Sequence, residues 1–317
     1  MLENMILLLT VLATSLLIPA DAFAWGAGIH LQLGSTVLSN LDAIRPEVAA
    51  IIARFPHDFL YGSIAADITV GKKFTHYLLH CHRWAMGRKV LARAETDSQK
   101  ACAYGYLTHL AADSIAHNYY VPYKIMRTFS TLTMKHAYWE MRFEAFVDRD
   151  IWETARQVAQ ENYKLNDTLL RKVIADTLFS FGTNKRIFNS ILLLNRLEKW
   201  QKVLHTLSAN SRYALSEEDR NEYMALAREA VFDVLNNMED SRFLMADPTG
   251  ERALKTAEAV RRNLRLLYGS GKLTREQATG EIEEMKKVLR DSICTPKNLR
   301  QIHTGKRRLL GFGKLIG

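Results

Sequence analysis

Cysteine is scarce in this chain of 317 residues, which contains only Cys81, Cys102 and Cys294 and no C-x-x-C spacing. Three scattered thiols are too few for a disulfide framework, although an exported chain would permit one bridge with one thiol left over. Alternating apolar and polar strands, internal repeats and low-complexity stretches are also lacking. These absences argue against a disulfide-stapled domain, a sheet-based fold and a repeat array.

The pattern that is present is the 3.6-residue apolar period of helices, in a chain of 48% hydrophobic composition. It predicts an all-α fold, with helices over residues 29–41, 47–54, 74–94, 99–118, 133–163, 167–181, 190–208, 216–238, 250–267 and 274–292. Breaks are expected at Pro46, Pro56 and Pro122, among other sites. Helix N-caps are expected at Asp167, at Ser216 and at Thr274, which opens the capping-box string "TREQ".

The first 24 residues combine an apolar run from Met5 to Pro19 with the small-x-small string "AFA". This combination predicts a signal peptide cleaved after Ala24 and a chain exported to the periplasm or the outside. A retained membrane anchor is the alternative, since no positive charge precedes the run. Cleavage would remove Glu3 and Asp21 and raise the net charge from +9 to +11. Such a charge suits an anionic lipid or nucleic-acid surface, or simply solubility.

Histidine is unevenly distributed, with eight of the ten residues lying between His30 and His136. In "YGYLTHLAADSIAHNYYVP", His109, Asp113 and His117 recur every four residues, a spacing that places them on one helix face. His136 with Glu140, and His76 with His80, repeat the same spacing. One such pair is usually a satisfied polar pair in a core or on an exposed face. Together with Asp67 and His30, however, the set predicts a metal site, and its imidazoles and carboxylates favour zinc in a hydrolytic centre.

The ordered string of these residues resembles the zinc-dependent phospholipase C family. It comprises Trp25 at the expected mature terminus, His30, Asp67 in "GSIAAD", "THYLLHCHRW", "HLAADSIAH" and "HAYWE". The single-strand-specific zinc nucleases have a similar style of site. The resemblance covers residues 25–147 and implies a multi-helix bundle. Residues 25–165 are then the catalytic domain, and residues 166–317 are a helical extension with a basic tail.

By this resemblance the chain holds up to three zinc ions and no organic cofactor. The amino group and carbonyl of Trp25 would bind one zinc with His30 and a bridging Asp113. A second zinc would take Asp67, a histidine of the cluster, His109 and the same Asp113, and a third would take His117, His136 and Glu140. His76, His80 and His82 compete for the cluster position; His80 is favoured, and His82 is second. Asp67 is also the expected catalytic residue, which would orient or deprotonate the attacking water.

The implied activity is that of an exported phosphodiester hydrolase acting on phospholipid headgroups at a membrane surface. Choline specificity does not follow, because Gly28 and Ile68 stand where the known bacterial enzymes carry an acidic and an aromatic residue. Two alternatives remain open. One is a nuclease for single-stranded nucleic acid, and the other is a non-catalytic helical binding protein that contains metal.

Overall fold

A computed structural model describes residues 25–69, 81–131, 136–174, 180–195, 215–296 and 299. Helices and turns account for the regular structure in this part of the chain, and it contains no strand, so the all-α prediction is confirmed. The α-helices are α1 (Ala27–Leu38), α2 (Pro46–Arg54), α3 (Pro56–Ala65), α4 (Trp84–Ala92), α5 (Asp97–Ile115), α6 (Val121–Arg127), α7 (His136–Glu144), α8 (Arg149–Gln160), α9 (Lys164–Val173), α10 (Phe181–Asn195), α11 (Glu217–Asn237), α12 (Glu251–Gly269) and α13 (Arg275–Asp291). The expected signal segment, His76, His80 and nearly all of the basic tail lie outside the described residues.

Helix α5 forms the centre of the fold. A capping box opens it, in which Thr96 and Gln99 exchange hydrogen bonds of 3.3 Å between side chain and backbone. From Gly105 onward every residue of the helix is buried, as expected of a helix enclosed by others. A Cβ atom on Gly105 would lie 2.0 Å from the Phe59 carbonyl oxygen, so α3 and α5 pack backbone to backbone.

The sequence predicted two of the three helix starts correctly. Ser216 Oγ accepts from the Asp219 N–H at 3.1 Å, and Thr274 forms its capping box with Gln277. The third prediction was wrong, because Asp167 lies inside α9. There its carboxylate accepts from the Tyr61 hydroxyl at 2.6 Å and pairs with Lys185 at 2.8 Å. The tertiary contacts of Asp167 with Tyr61 and Lys185 therefore outweigh its local preference for an N-cap position.

Several predicted boundaries also differ. The single helix expected over residues 133–163 is broken at residues 145–148 into α7 and α8, while buried Phe143, Val147 and Trp152 continue the apolar period across the turn. Pro56 lies in the first turn of α3, where a helix does not need the missing N–H. The break expected at Pro122 does not occur, because helical backbone continues from α5 through residues 116–120 into α6. Residues 116–120 form a π-helix that joins α5 directly to α6.

One hydrophobic core runs through the described parts of both halves, from Trp25 to Leu299. Helix α11 packs along α5, and α12 and α13 pack against α6. The boundary between residues 165 and 166 stays a prediction. Within the described part of the chain, Cys81, Cys102 and Cys294 form no disulfide. None of the helices in the described ranges combines the length and apolar character that crossing a membrane requires.

Candidate metal centre

The carboxylate of Asp113 is the meeting point of three histidines. Its Oδ1 lies 3.3 Å from His30 Nε2, and its Oδ2 lies 3.3 Å from His82 Nε2 and 3.2 Å from His109 Nε2. Asp113 and His109 are fully buried, and the other two rings are nearly so. Residues from three separate parts of the sequence therefore converge on one acidic side chain.

Asp67 adds a second carboxylate to this cluster. Its Oδ1 lies 3.1 Å from His82 Nε2 and 3.9 Å from His109 Nε2. Two sets of potential ligands result, one of His30, His109 and Asp113 and the other of Asp67, His82 and His109. Within each set the ligand atoms lie within 4.8 Å of one another, a spacing compatible with metal binding.

Local structure explains how each side chain reaches the cluster. His30 lies in the first turn of α1, Asp67 in the 3-10 turn that follows α3, and His82 just before α4. His109 and Asp113 are one helical turn apart on α5, as their spacing predicted. The His109 Nδ1–H donates to the Ser63 carbonyl oxygen at 2.9 Å. Since a carbonyl only accepts, a neutral His109 presents an unprotonated Nε2 to the cluster.

The polar atoms of the cluster fit a bound cation. Both ring nitrogens of His30 and both oxygens of Asp113 are buried without a hydrogen-bond partner in the described part of the chain. The 3.3 Å contact between them is thus electrostatic, with a geometry that fails that of a hydrogen bond. His82 Nε2 and His109 Nε2 approach to 3.0 Å, a distance at which at most one carries a proton. The buried Asp113 carboxylate requires a counter-charge and the imidazole nitrogens require a partner, and zinc would provide both.

The electrostatics of the site favour an ionised Asp113 and a neutral His30. Burial lowers the pKa of His30, and the nearby His109 lowers it further. Burial alone would raise the pKa of Asp113, but its contacts with His109 and His30 outweigh this and hold that pKa well below its usual range. Ionised carboxylate and neutral imidazole are the forms in which these side chains bind metals.

The third set of predicted ligands is only partly described. His117 lies in the π-helix, where its Nδ1–H donates to the Pro248 carbonyl oxygen at 2.5 Å. Glu140 is buried on α7, and the Tyr120 hydroxyl donates to the carbonyl of the preceding Trp139 at 2.7 Å, which brings the π-helix and α7 together. His136 begins α7, and its side chain lies outside the described residues. A third zinc site on these residues stays a prediction.

Two further expectations concern the edges of the site. Trp25 is fully buried, with its ring 5.2 Å from that of Phe143, and the metal-binding role of its main-chain atoms stays a prediction. The sequence ranked His80 ahead of His82, but the residue that the structure places in the cluster is His82, while His80 lies outside the described residues.

Glu144 is a buried residue of this region that the sequence analysis missed. Its carboxylate accepts from the N–H groups of Ile29 at 3.0 Å and Gly28 at 3.3 Å, and so anchors the first turn of the helix that carries His30. Burial raises the pKa of Glu144 to about 7. A Cβ atom on Gly28 would lie 2.7 Å from Glu144 Oε2. The Glu144 carboxylate therefore occupies the space beside Gly28, the position at which the known bacterial enzymes carry an acidic residue. The sequence signal that could have identified Glu144 is its i,i+4 spacing from Glu140, a predicted zinc ligand.

Fold and site together define an all-α protein with a buried set of histidines and aspartates compatible with metal binding. Residues 29–185 match the family described as zinc dependent phospholipase C. This match covers just under half of the chain and supports the assignment of this region to the zinc-dependent phospholipase C family, which implies a hydrolase of that type. Comparisons with curated proteins and with solved structures found no match.

Proposed function

We propose that the protein is an exported zinc-dependent phosphodiester hydrolase that acts as a phospholipase C on phospholipid headgroups. The observation that supports this most directly is the cluster around Asp113, in which five buried side chains place three imidazole nitrogens and two carboxylates together. The family match supports the proposed reaction type, and all five residues lie within the matched residues 29–185.

The residues of the cluster divide into two overlapping zinc sites. His30, with the main chain of Trp25, would hold one ion, and Asp67, His82 and His109 would hold another. Asp113 would contribute to both sites, because its Oδ1 faces His30 and its Oδ2 faces His82 and His109. His117, Glu140 and His136 would hold the third ion.

Zinc bound here would polarise the phosphoryl oxygens and lower the pKa of a water molecule toward 7. Asp67 has the catalytic role among the protein's own residues, since its carboxylate would orient that water or accept its proton. Its Oδ1 lies 3.1 Å from His82 Nε2, which fixes its direction. Burial of the cluster strengthens each of these electrostatic interactions by excluding bulk water.

The substrate is tested by offering three classes of phosphodiester to the purified zinc-loaded protein. Vesicles of mixed phospholipids should release phosphorylated headgroups and diacylglycerol, and the Asp67→Asn variant should release neither. Cleavage of single-stranded oligonucleotides without headgroup release would replace the lipase proposal with the nuclease. A protein that retains zinc but cleaves no lipid, no oligonucleotide and no bis-p-nitrophenyl phosphate would be a binding protein.

Export and the role of the terminus have a separate test. N-terminal sequencing of the protein recovered from an exporting host should begin at Trp25. Protein that begins at Trp25 should then hold more zinc than a folded version with two extra N-terminal residues, because the extension removes the free amino group from the site. Equal zinc content in the two forms would remove Trp25 from the ligand set.

A further inference from the structure

A short loop of the C-terminal half, residues 246–250, lies directly against the π-helix that carries His117. Three successive carbonyl oxygens of this loop accept from side chains of the first half. The Ala246 carbonyl accepts from Trp84 Nε1 at 2.8 Å, the Asp247 carbonyl from Asn118 Nδ2 at 2.6 Å, and the Pro248 carbonyl from His117 Nδ1. These three hydrogen bonds hold the loop against the first half of the chain.

The bond to Pro248 determines which nitrogen of His117 carries a proton. A carbonyl oxygen can only accept, so the proton of the neutral ring must lie on Nδ1. Nε2 then has the lone pair that a metal ligand requires. Histidine ligands in metal sites commonly donate their other ring N–H to a carbonyl or carboxylate, which fixes both the tautomer and the orientation of the ring.

Gly250 makes this close approach possible. Its φ of +57° lies in the left-handed region that favours glycine. A Cβ atom at this position would lie 2.3 Å from the His117 carbonyl oxygen and 2.4 Å from His117 Cβ. Any larger residue would both strain the loop and push it away from His117.

The loop is also held in shape by its own side chains. The Asp247 carboxylate accepts from the Thr249 N–H at 3.0 Å and from the Thr249 hydroxyl at 2.8 Å. This turn precedes Gly250, after which α12 begins. This turn helps to hold the Pro248 carbonyl in the position where it accepts from His117.

We propose that residues 246–250, which lie outside the family-matched region, position His117 as a zinc ligand of the third site. Pro248 acts through its main-chain carbonyl, and Gly250 is the residue that permits the contact. This inference rests on the proposed function, because it assigns His117 to zinc. Through this contact the C-terminal half contributes to the metal centre.

The test compares Gly250→Ala with Gly271→Ala in the full chain. Gly271 also has a positive φ, of +73°, but a Cβ atom there would meet nothing within 4 Å, so the control carries similar backbone strain without touching His117. Two quantities are measured: the zinc content after desalting, and the His117 tautomer in the metal-free protein by long-range 1H–15N correlation with 15N-labelled histidine. A His117→Gln variant assigns the signal.

The wild type and Gly271→Ala should show His117 as the Nδ1–H tautomer and bind equal amounts of zinc. Gly250→Ala should lose about one zinc ion per chain and show a mixture of tautomers. The milder Asp247→Ala variant, which unties the loop, should change both quantities in the same direction if Gly250→Ala does not fold.

An unchanged tautomer and zinc content in Gly250→Ala, or equal losses in the two glycine variants, would overturn the inference. A wild-type protein that holds no zinc would overturn the proposed function instead. In that case the tautomer comparison would still decide whether the loop orients His117.

Discussion

At the scale of single residues, the buried carboxylates of Asp113 and Glu144 lie in opposite environments. Asp113 is surrounded by imidazoles that hold its pKa low, whereas Glu144 is held mainly by two backbone N–H groups. Those two bonds do not offset the cost of burying the charge, so the pKa of Glu144 is raised to about 7. The same chemical group, a carboxyl, therefore serves as a charged centre in Asp113 and as a largely neutral anchor in Glu144.

The raised pKa of Glu144 predicts a pH dependence of stability. Between the ordinary glutamate pKa of 4.5 and about 7, the folded state keeps a proton that the unfolded state releases, so the free energy of unfolding falls as pH rises through this window. At about 1.4 kcal/mol per unit, the loss is on the order of 3 kcal/mol. Urea unfolding of metal-free protein at pH 5 and pH 8 should show this loss in the wild type and a smaller one in Glu144→Gln. Equal losses in the two proteins would show that Glu144 does not titrate in this window.

At the scale of helices, the position of the metal centre depends on how closely α3 and α5 approach. The backbone contact at Gly105 places Ser63 on α3 against the His109 ring, one turn further along α5. Helix spacing therefore sets the orientation of a predicted ligand.

Gly105→Ala tests this helix contact. The added methyl group would lie 2.0 Å from the Phe59 carbonyl oxygen, and we expect it to lower the free energy of unfolding by about 1–3 kcal/mol or more, as overpacking does. Gly280→Ala is the matched control, because that glycine lies exposed inside α13 with nothing within 4 Å. The control should gain about 0.5–1 kcal/mol from helix propensity alone. Urea denaturation measures both, and a neutral Gly105→Ala would contradict the close packing.

Helix periodicity predicted part of the candidate site and missed the rest for physical reasons. His109 and Asp113 share a face of α5 as their spacing indicated, whereas His117 lies in the π-helix that follows, with its Nδ1 against the Pro248 carbonyl oxygen. The contact of Glu144 with α1 joins residues about 115 positions apart, a relation that periodicity within one helix does not contain.

At the scale of the whole molecule, a partly buried ion pair joins the two halves. Lys124 on α6 is only 4% exposed and contacts Asp219 at the start of α11, which Lys286 on α13 also contacts at 3.1 Å. Burial lowers the pKa of Lys124, while Asp219 opposes that change. The charge of Lys124 is therefore tolerated inside the protein only because the C-terminal half supplies a carboxylate.

Removing that carboxylate should be costly. Asp219→Ala leaves Lys124 buried without its main partner, and we expect a loss of about 3 kcal/mol in the free energy of unfolding. Glu218→Ala is the control. Glu218 also lies in the first turn of α11 and so makes the same favourable interaction with the helix dipole, but its side chain is exposed. Chemical denaturation should separate the two variants, and equal small losses would show that the pair does not stabilise the junction.

The zinc content of Asp113→Asn is the most direct test of the metal centre. Elemental analysis after extensive desalting should find about three zinc ions in the wild type, about one in Asp113→Asn and about two in Glu140→Gln. The order follows because Asp113 contacts histidines of both potential ligand sets, whereas Glu140 belongs only to the third predicted site. Full zinc content in Asp113→Asn, or no zinc in the wild type, would contradict a metal centre built on Asp113.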